Sequence, residues 1–315
     1  MYKETFDFYD RTSLKSYNLD QTMRYQLNML DRLDAFTRKH CENVGDLTCR
    51  LCQHLHCNKG FTEYCTICGY LHDIGKQFIP PAILQKPGKL TDEEFEIMKT
   101  HTTIGYDMCM KDSKLQPYAA GPYCHHEALD GSGYPRGLTK KNIPYEAQII
   151  RVADEYDAIV SKRQYKSHIG ISDTLKILIE NTKPHEQVKK SDALSVVSEN
   201  ARLGKNNPAI VRVLFKVVIE DIEYEIFLTQ SYVEELREEL KRLKQVEKYK
   251  IAMDKAKKEK DKNYYLEGMK VLLKNDETPE NFQSAYEEYK KAYETRKAII
   301  ENLYHEIKII KKLKV

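Results

Sequence analysis

Apolar residues recur three and four positions apart along most of the chain, and that spacing commits it to helices. Met23, Leu27, Leu30, Leu33 and Phe36 make one such face over residues 20–36, a helix expected to run directly into His40. Tyr64, Ile67, Cys68 and Leu71 repeat the pattern over 61–73, and Gly75 follows where a left-handed C-terminal cap would sit. Thr91-Asp92-Glu93-Glu94 reads as a capping box that starts a helix carrying His101. Helical spacing resumes from Ile149 to Ile159, around Asp154. Pro80, Pro81 and Pro87-Gly88 mark a connecting loop, and Gly131, Gly133, Pro135 and Gly137 make 130–137 an ordered turn. The one strand-like alternation, Ile222, Tyr224 and Ile226, is too short to define a sheet. The expected fold class is all-α.

The character changes near residue 231. Residues 231–315 mix lysine, arginine and acids, with no cysteine and a single histidine, and so lack catalytic vocabulary. Val233, Leu236, Leu240 and Leu243 make a short apolar seam; Phe282, Tyr286, Tyr289, Tyr293, Ile300, Leu303, Ile307 and Ile310 make a longer one. Residues 275–279 separate the two. The expected organisation is a catalytic domain over 1–230 and a helical hairpin or coiled-coil extension over 231–315. Its seams bury against each other, the core or a second subunit, most simply in a homodimer.

Charge excludes some partners. Lysine and arginine (51) nearly balance aspartate and glutamate (48), so a net charge of +3 offers no global field for a nucleic-acid polymer or a membrane. No apolar run is long enough to cross a bilayer, and MYKETFDFYD lacks a charged-then-apolar signal pattern. The chain reads as cytoplasmic, where its eight cysteines are expected to be thiols. Cys49/Cys52 and Cys65/Cys68 form two CxxC pairs with a spacing compatible with zinc. Both pairs fall on stretches that read as helix, which favours burial over a zinc or redox role.

The chemistry sits between His40 and Asp154. LHDIGK, residues 71–76, sets a histidine beside an aspartate at a helix end, and HH at 125–126 makes a second adjacent pair. With His40, His101 and Asp154 these give seven potential metal ligands: His40, His72, Asp73, His101, His125, His126 and Asp154. Imidazoles mixed with carboxylates suit a divalent first-row metal such as iron or manganese. Seven donors serve two ions if one carboxylate bridges, and Asp73 is the natural bridge.

LHDIGK, KTH at 99–101, HHEALDGSGYP at 125–135 and VADEYDAIVSKRQYK at 152–166 resemble the successive signatures of the HD-GYP branch of the HD-domain phosphohydrolases, over roughly residues 20–200. The resemblance implies an all-helical HD-domain bundle. It also implies metal-dependent hydrolysis of the bacterial second messenger cyclic di-GMP, or of a cyclic GMP–AMP dinucleotide, to a linear dinucleotide with or without further cleavage to GMP. Carried over by position, His40, His72, Asp73 and Asp154 hold one metal, and Asp73, His101, His125 and His126 the other. Lys76 becomes a phosphate contact or a proton donor near the leaving oxygen. Arg163 and Lys166 face the second phosphate. Tyr134, in the GYP triplet, either packs on a base, hydrogen-bonds near the site, or is structural. Gln164 stands where the family has proline, and Leu129 where it has tryptophan. Some relatives carry a glutamate one turn before the first ligand histidine that helps bind a third ion. Here that position is Phe36, and in an unbroken helix Asp34 points elsewhere, so two ions are expected. The alternatives are a non-catalytic cyclic-dinucleotide receptor signalling through its C-terminal helices, another HD-type hydrolase, or a diiron oxygenase.

Overall fold

In a computed structural model the described residues are Tyr25 and residues 28–162, 171–184, 203–274 and 276–315. Among them helices carry the fold, with no strand and one isolated bridge, Asp130 to Thr139. The chain divides into two compact units, Met1–Val217 with Leu313–Val315, and Val218–Lys312.

The first unit is built on α1 (Ala35–His54) and α2 (Lys59–Leu71). The helix expected to run from residue 20 into His40 is broken. Met29–Arg32 is a 3-10 turn, Leu33 is extended at φ −85 and ψ 155, and Asp34 caps α1 by accepting from the Phe36 and Thr37 amides. An aspartate that satisfies orphan amides competes with helix continuation. The break also lets Met29, Leu30 and Leu33 turn onto Ile67, Tyr70 and Leu71 of α2 in one buried cluster.

α1 and α2 approach closely because glycines meet at the crossing. A Cβ on Gly45 would stand 2.6 Å from the Tyr70 ring, and one on Gly69 3.1 Å from the Gly45 Cα. α1 ends in a left-handed His56 (φ 57), where the His56 and Cys57 amides bond to the Gln53 and Cys52 carbonyls at 3.0 Å each. Asn58 then caps α2.

Gly75 is not the expected left-handed cap. It lies inside a 3-10 turn, Ile74–Phe78, and its backbone has no positive φ. Its role is close approach: a Cβ there would meet the His101 carbonyl oxygen at 2.0 Å and the Gly105 amide at 2.7 Å. The expected capping box forms at α3 (Asp92–Lys99), with Thr91 and Glu94 bonding reciprocally. The helix expected to carry His101 is two helices, because Thr100 ends α3 and precedes α4 (His101–Met110). α5 (Ala120–Cys124) leads into the 125–139 loop, and α6 (Tyr145–Lys162) packs along α1, burying Ile149, Ile150, Val152 and Ala153. α7 (Ile171–Glu180) follows.

α8 (Pro208–Lys255) includes Ile222, Tyr224 and Ile226, which are helical. In the second unit α8 is joined by α9 (Glu259–Leu272) and α10 (Phe282–Ile310). Leu243 of the short seam and Phe282 of the long one meet in one core with Val246 and Met269. Arg242 closes this unit, donating to both Glu277 oxygens at 2.6 and 2.7 Å and to the Leu272 carbonyl at 2.7 Å. The fork geometry suits a carboxylate, and burial strengthens it.

Candidate metal centre

Three candidate ligands directly follow the ends of helices. His72 follows α2, His101 follows α3 across Thr100, and His125 follows α5. A helix end leaves its last carbonyls without intrahelical donors. Each histidine turns its Nδ1 onto one: His72 to Gly69 at 2.7 Å, His101 to Met98 at 2.6 Å, and His125 to Pro122 at 2.9 Å. A carbonyl only accepts, so Nδ1 carries the proton and each Nε2 presents a lone pair. The negative ends of α2 and α5 border the cluster at His72 and His125, a setting that favours a cation, whereas His101 lies where α3 ends and α4 begins.

Those lone pairs converge. The Nε2 atoms of His101 and His125 stand 3.3 Å apart, as do those of His72 and His40. Asp73 lies between the pairs. Its Oδ2 is 3.2 Å from His72 and 3.6 Å from His40, while its Oδ1 is 3.3 Å from His101 and 3.7 Å from His125. Asp73 is 1% exposed, and Oδ1 accepts no hydrogen bond within the described residues. A buried carboxylate oxygen without a donor costs several kcal/mol, of order 1–3 or more, and facing imidazole lone pairs repel. A cation relieves both the unpaired oxygen and the facing lone pairs of His101 and His125, so the donors present fit metal ions.

Asp154 reaches across from α6, 3.0 Å from His40 Nε2 through Oδ1 and 3.9 Å from His126 Nδ1 through Oδ2. All seven residues singled out from the sequence thus come together. They form overlapping groups with metal-ligand spacing: His40, His72 and Asp73; Asp73, His101, His125 and His126; and His72, His125 and Asp154.

The electrostatics follow the burial. Burial alone would push both aspartates up, but the surrounding histidines, with Lys76 beside Asp73, hold Asp73 and Asp154 well below the usual carboxylate range. Burial and neighbouring histidines press His125 down to about 3. Burial would also lower His40, yet hydrogen bonds to Asp154 and Asp157 raise it to about 10.

A cavity of about 470 Å³ opens beside the cluster, lined by His40, His101, His126 and Lys76 and walled by Phe36, Leu84, Met98 and Tyr134. Lys76 donates to Asp73 Oδ2 at 2.5 Å. Burial opposes its charge, but Asp73 and Asp154 raise its pKa above the usual lysine value. Tyr134 lays its ring on His126, with centroids 4.6 Å apart, and takes the Phe95 ring edge-on. Arg163, Gln164 and Lys166 lie outside the described residues. Leu129, at the family's tryptophan position, is buried with Cys124, Ile143 and Ala147.

Phe36 is 59% exposed and lines the cavity. Because α1 begins at Ala35, Asp34 also lines it rather than pointing away, which corrects the sequence expectation. Its carboxylate is engaged by the Phe36 and Thr37 amides at 3.1 Å and the Thr37 hydroxyl at 2.6 Å.

Sequence reasoning missed Asp157. It accepts from Asn43 at 3.0 Å and holds His40 Nδ1 at 2.7 Å. The available signal was its place three residues after Asp154, on the same helical face. The four CxxC cysteines lie on α1 and α2, buried, and no cysteine joins a metal-ligand group among the described residues. No helix among those residues is long and apolar enough to cross a membrane.

The HD domain family model matches residues 24–186. A cyclic di-GMP phosphodiesterase of Thermotoga maritima is 47% identical over 144 residues, covering 45% of this chain and 39% of that protein. The cyclic di-GMP phosphodiesterase response regulator RpfG of Xanthomonas campestris is 36% identical over 46% of this chain and 39% of its own. A 3'3'-cGAMP-specific phosphodiesterase of Vibrio cholerae is 34% identical over 48% of this chain and 35% of its own. The chain thus matches about two fifths or less of the length of these relatives.

Proposed function

We propose, from the premise that this chain belongs to the HD domain family, that it is a metal-dependent phosphodiesterase opening cyclic di-GMP, or a cyclic GMP–AMP dinucleotide, to the linear form. The observation that carries the reading is Asp73, a buried carboxylate whose two oxygens are divided between two sets of histidine nitrogens. In this reading His40, His72, Asp73 and Asp154 hold one ion, and Asp73, His101, His125 and His126 the other, with iron or manganese the metals that suit the donors. When bound, two such ions polarise a phosphoryl oxygen and lower the pKa of water enough to supply a nucleophile near neutral pH.

The protein's own groups do the rest. The Nδ1–carbonyl bonds fix each imidazole before substrate arrives. Lys76 is kept protonated at the cavity wall by Asp73 and Asp154, so it neutralises phosphoryl charge or gives its proton to the leaving oxygen. Phe36, Leu84 and Met98 offer an apolar wall to a base, whereas Tyr134 acts chiefly by backing His126. Arg163 and Lys166 are assigned to the second phosphate from the family resemblance. A second-messenger substrate implies a cytoplasmic site of action, and a homodimer through residues 231–315 would use what their seams leave half-buried, Leu240, Tyr289 and Tyr293 among them, since Leu243 and Phe282 already meet within one chain.

The test is anaerobic loading of the purified chain with iron or manganese, incubation with a panel of cyclic dinucleotides, and chromatography of the products. A linear dinucleotide is expected. Intact substrate across the panel, with a full metal complement, would refute the activity.

A further inference from the structure

Four imidazoles offer Nε2 to the cluster, and they are not equally supported. His72, His101 and His125 each set Nδ1 against a neutral backbone carbonyl of the helix they follow. His40 instead sets Nδ1 against a carboxylate, Asp157 Oδ2, at 2.7 Å. A carboxylate draws the Nδ1 proton more strongly than a carbonyl and makes the opposite nitrogen a stronger donor.

The arrangement is built from two facing helices. On α1, His40 and Asn43 are three residues apart; on α6, Asp154 and Asp157 are three apart, so each pair shares a face. Asp154 Oδ1 meets His40 Nε2 at 3.0 Å, Asp157 Oδ2 meets Nδ1, and Asn43 donates to the remaining Asp157 oxygen at 3.0 Å. One imidazole is therefore gripped at both nitrogens by one turn of α6. Asp157 is 8% exposed, so its charge acts across a poorly screened gap.

The two ends of Asp73 differ accordingly. The His40 end has Asp154 against His40 and Asp157 behind it, whereas the other end has three imidazoles, His101, His125 and His126. We infer that Asp157 is a positioning residue for His40, and that it makes the ion on the His40 side the more tightly held of the two. This rests on the proposed two-ion reading of the cluster.

The test uses the full chain and manganese. Competition with a chelator gives the two dissociation constants, and anomalous scattering from crystals loaded with one equivalent shows which position fills first. The wild type is expected to fill the His40 side first. Asp157→Asn, nearly isosteric, should weaken that position about 10- to 100-fold, so that the first equivalent moves toward His101, His125 and His126. Asn43→Ala leaves the carboxylate in place and should weaken the same position by a smaller factor, which keeps the idea testable should Asp157→Asn fold poorly. Circular dichroism checks the fold of each variant. Equal filling of both positions in the wild type would overturn the inference. So would an unchanged filling order in Asp157→Asn, or an equal loss at both positions, which would make Asp157 a packing pin between α1 and α6. A wild type that takes up fewer than two ions would overturn the two-ion reading itself.

Discussion

Gly75→Ala tests whether the close approach of the LHDIGK turn to α4 sets the metal geometry. An alanine methyl would lie 2.0 Å from the His101 carbonyl oxygen and 2.7 Å from the Gly105 amide. A carbon–oxygen contact relaxes to about 3.3 Å, so the turn and α4 must separate by roughly 1.3 Å, the difference from 2.0 Å. Asp73 immediately precedes the turn and His101 opens α4, so the 3.3 Å gap between them changes by a similar amount. A preorganised site tolerates about 0.5 Å, and a misplacement of about 1 Å costs around 10²-fold in rate. Overpacking of this kind costs about 1–3 kcal/mol, or roughly 2–12 °C in Tm for a unit of this size. Hydrolysis of a cyclic dinucleotide, elemental analysis and thermal unfolding would be read together. Gly88→Ala is the control, since nothing lies within 4 Å of its added methyl. A Gly75→Ala protein with wild-type rate, metal content and Tm would refute the reasoning.

Elemental analysis of the loaded wild type should give close to two ions per chain, and Asp73→Ala should lose at least one and abolish hydrolysis with helicity unchanged. Three adjacent ions would show that another residue supplies what Phe36 cannot, and turnover in Asp73→Ala with both ions retained would remove its bridging role. The metal-free chain should lose stability as pH falls from about 6.5 toward 3, since unfolded histidines take up protons near 6.5 that buried His125, held down to about 3, refuses. His40, raised to about 10, does not offset this, because its contribution is fully present below 6.5 and is lost only as pH rises through 10. A Tm independent of pH between 7 and 4 would contradict these assignments. Light scattering should report a homodimer for the full chain; a monomer at all concentrations would end the assembly role proposed for residues 231–315.

Periodicity made the helices legible, and the spacing of seven chemically matched side chains made the cluster legible. What stayed hidden was decided by partners distant in sequence. The pattern through Met29 and Leu33 continues smoothly into Phe36, but Asp34 gains more by capping α1 than by continuing a helix. Gly75 reads as a cap from its neighbours alone, since nothing local reveals that the His101 backbone will press against it. Asp157 sits in plain view beside Asp154, yet its role depends on α1 arriving with His40 and Asn43. α9 escaped notice because Met269 is its only fully buried anchor, too little to make a seam.

The three histidines that follow α2, α3 and α5 restrict how the chain can change in length. Each imidazole takes its direction from a carbonyl of the turn before it, so helix register and ligand direction are one quantity. Inserting or deleting a single residue within any of these helices would swing its histidine by about 100° around the axis. The carbonyl contact would be lost together with the ligand unless the shift were taken up at the start of the helix. Around Gly88, by contrast, the chain runs through open space, and added residues there leave all seven side chains in place. The centre should therefore tolerate insertions between Gln85 and Thr91 and reject them in the turns that end at His72, His101 and His125.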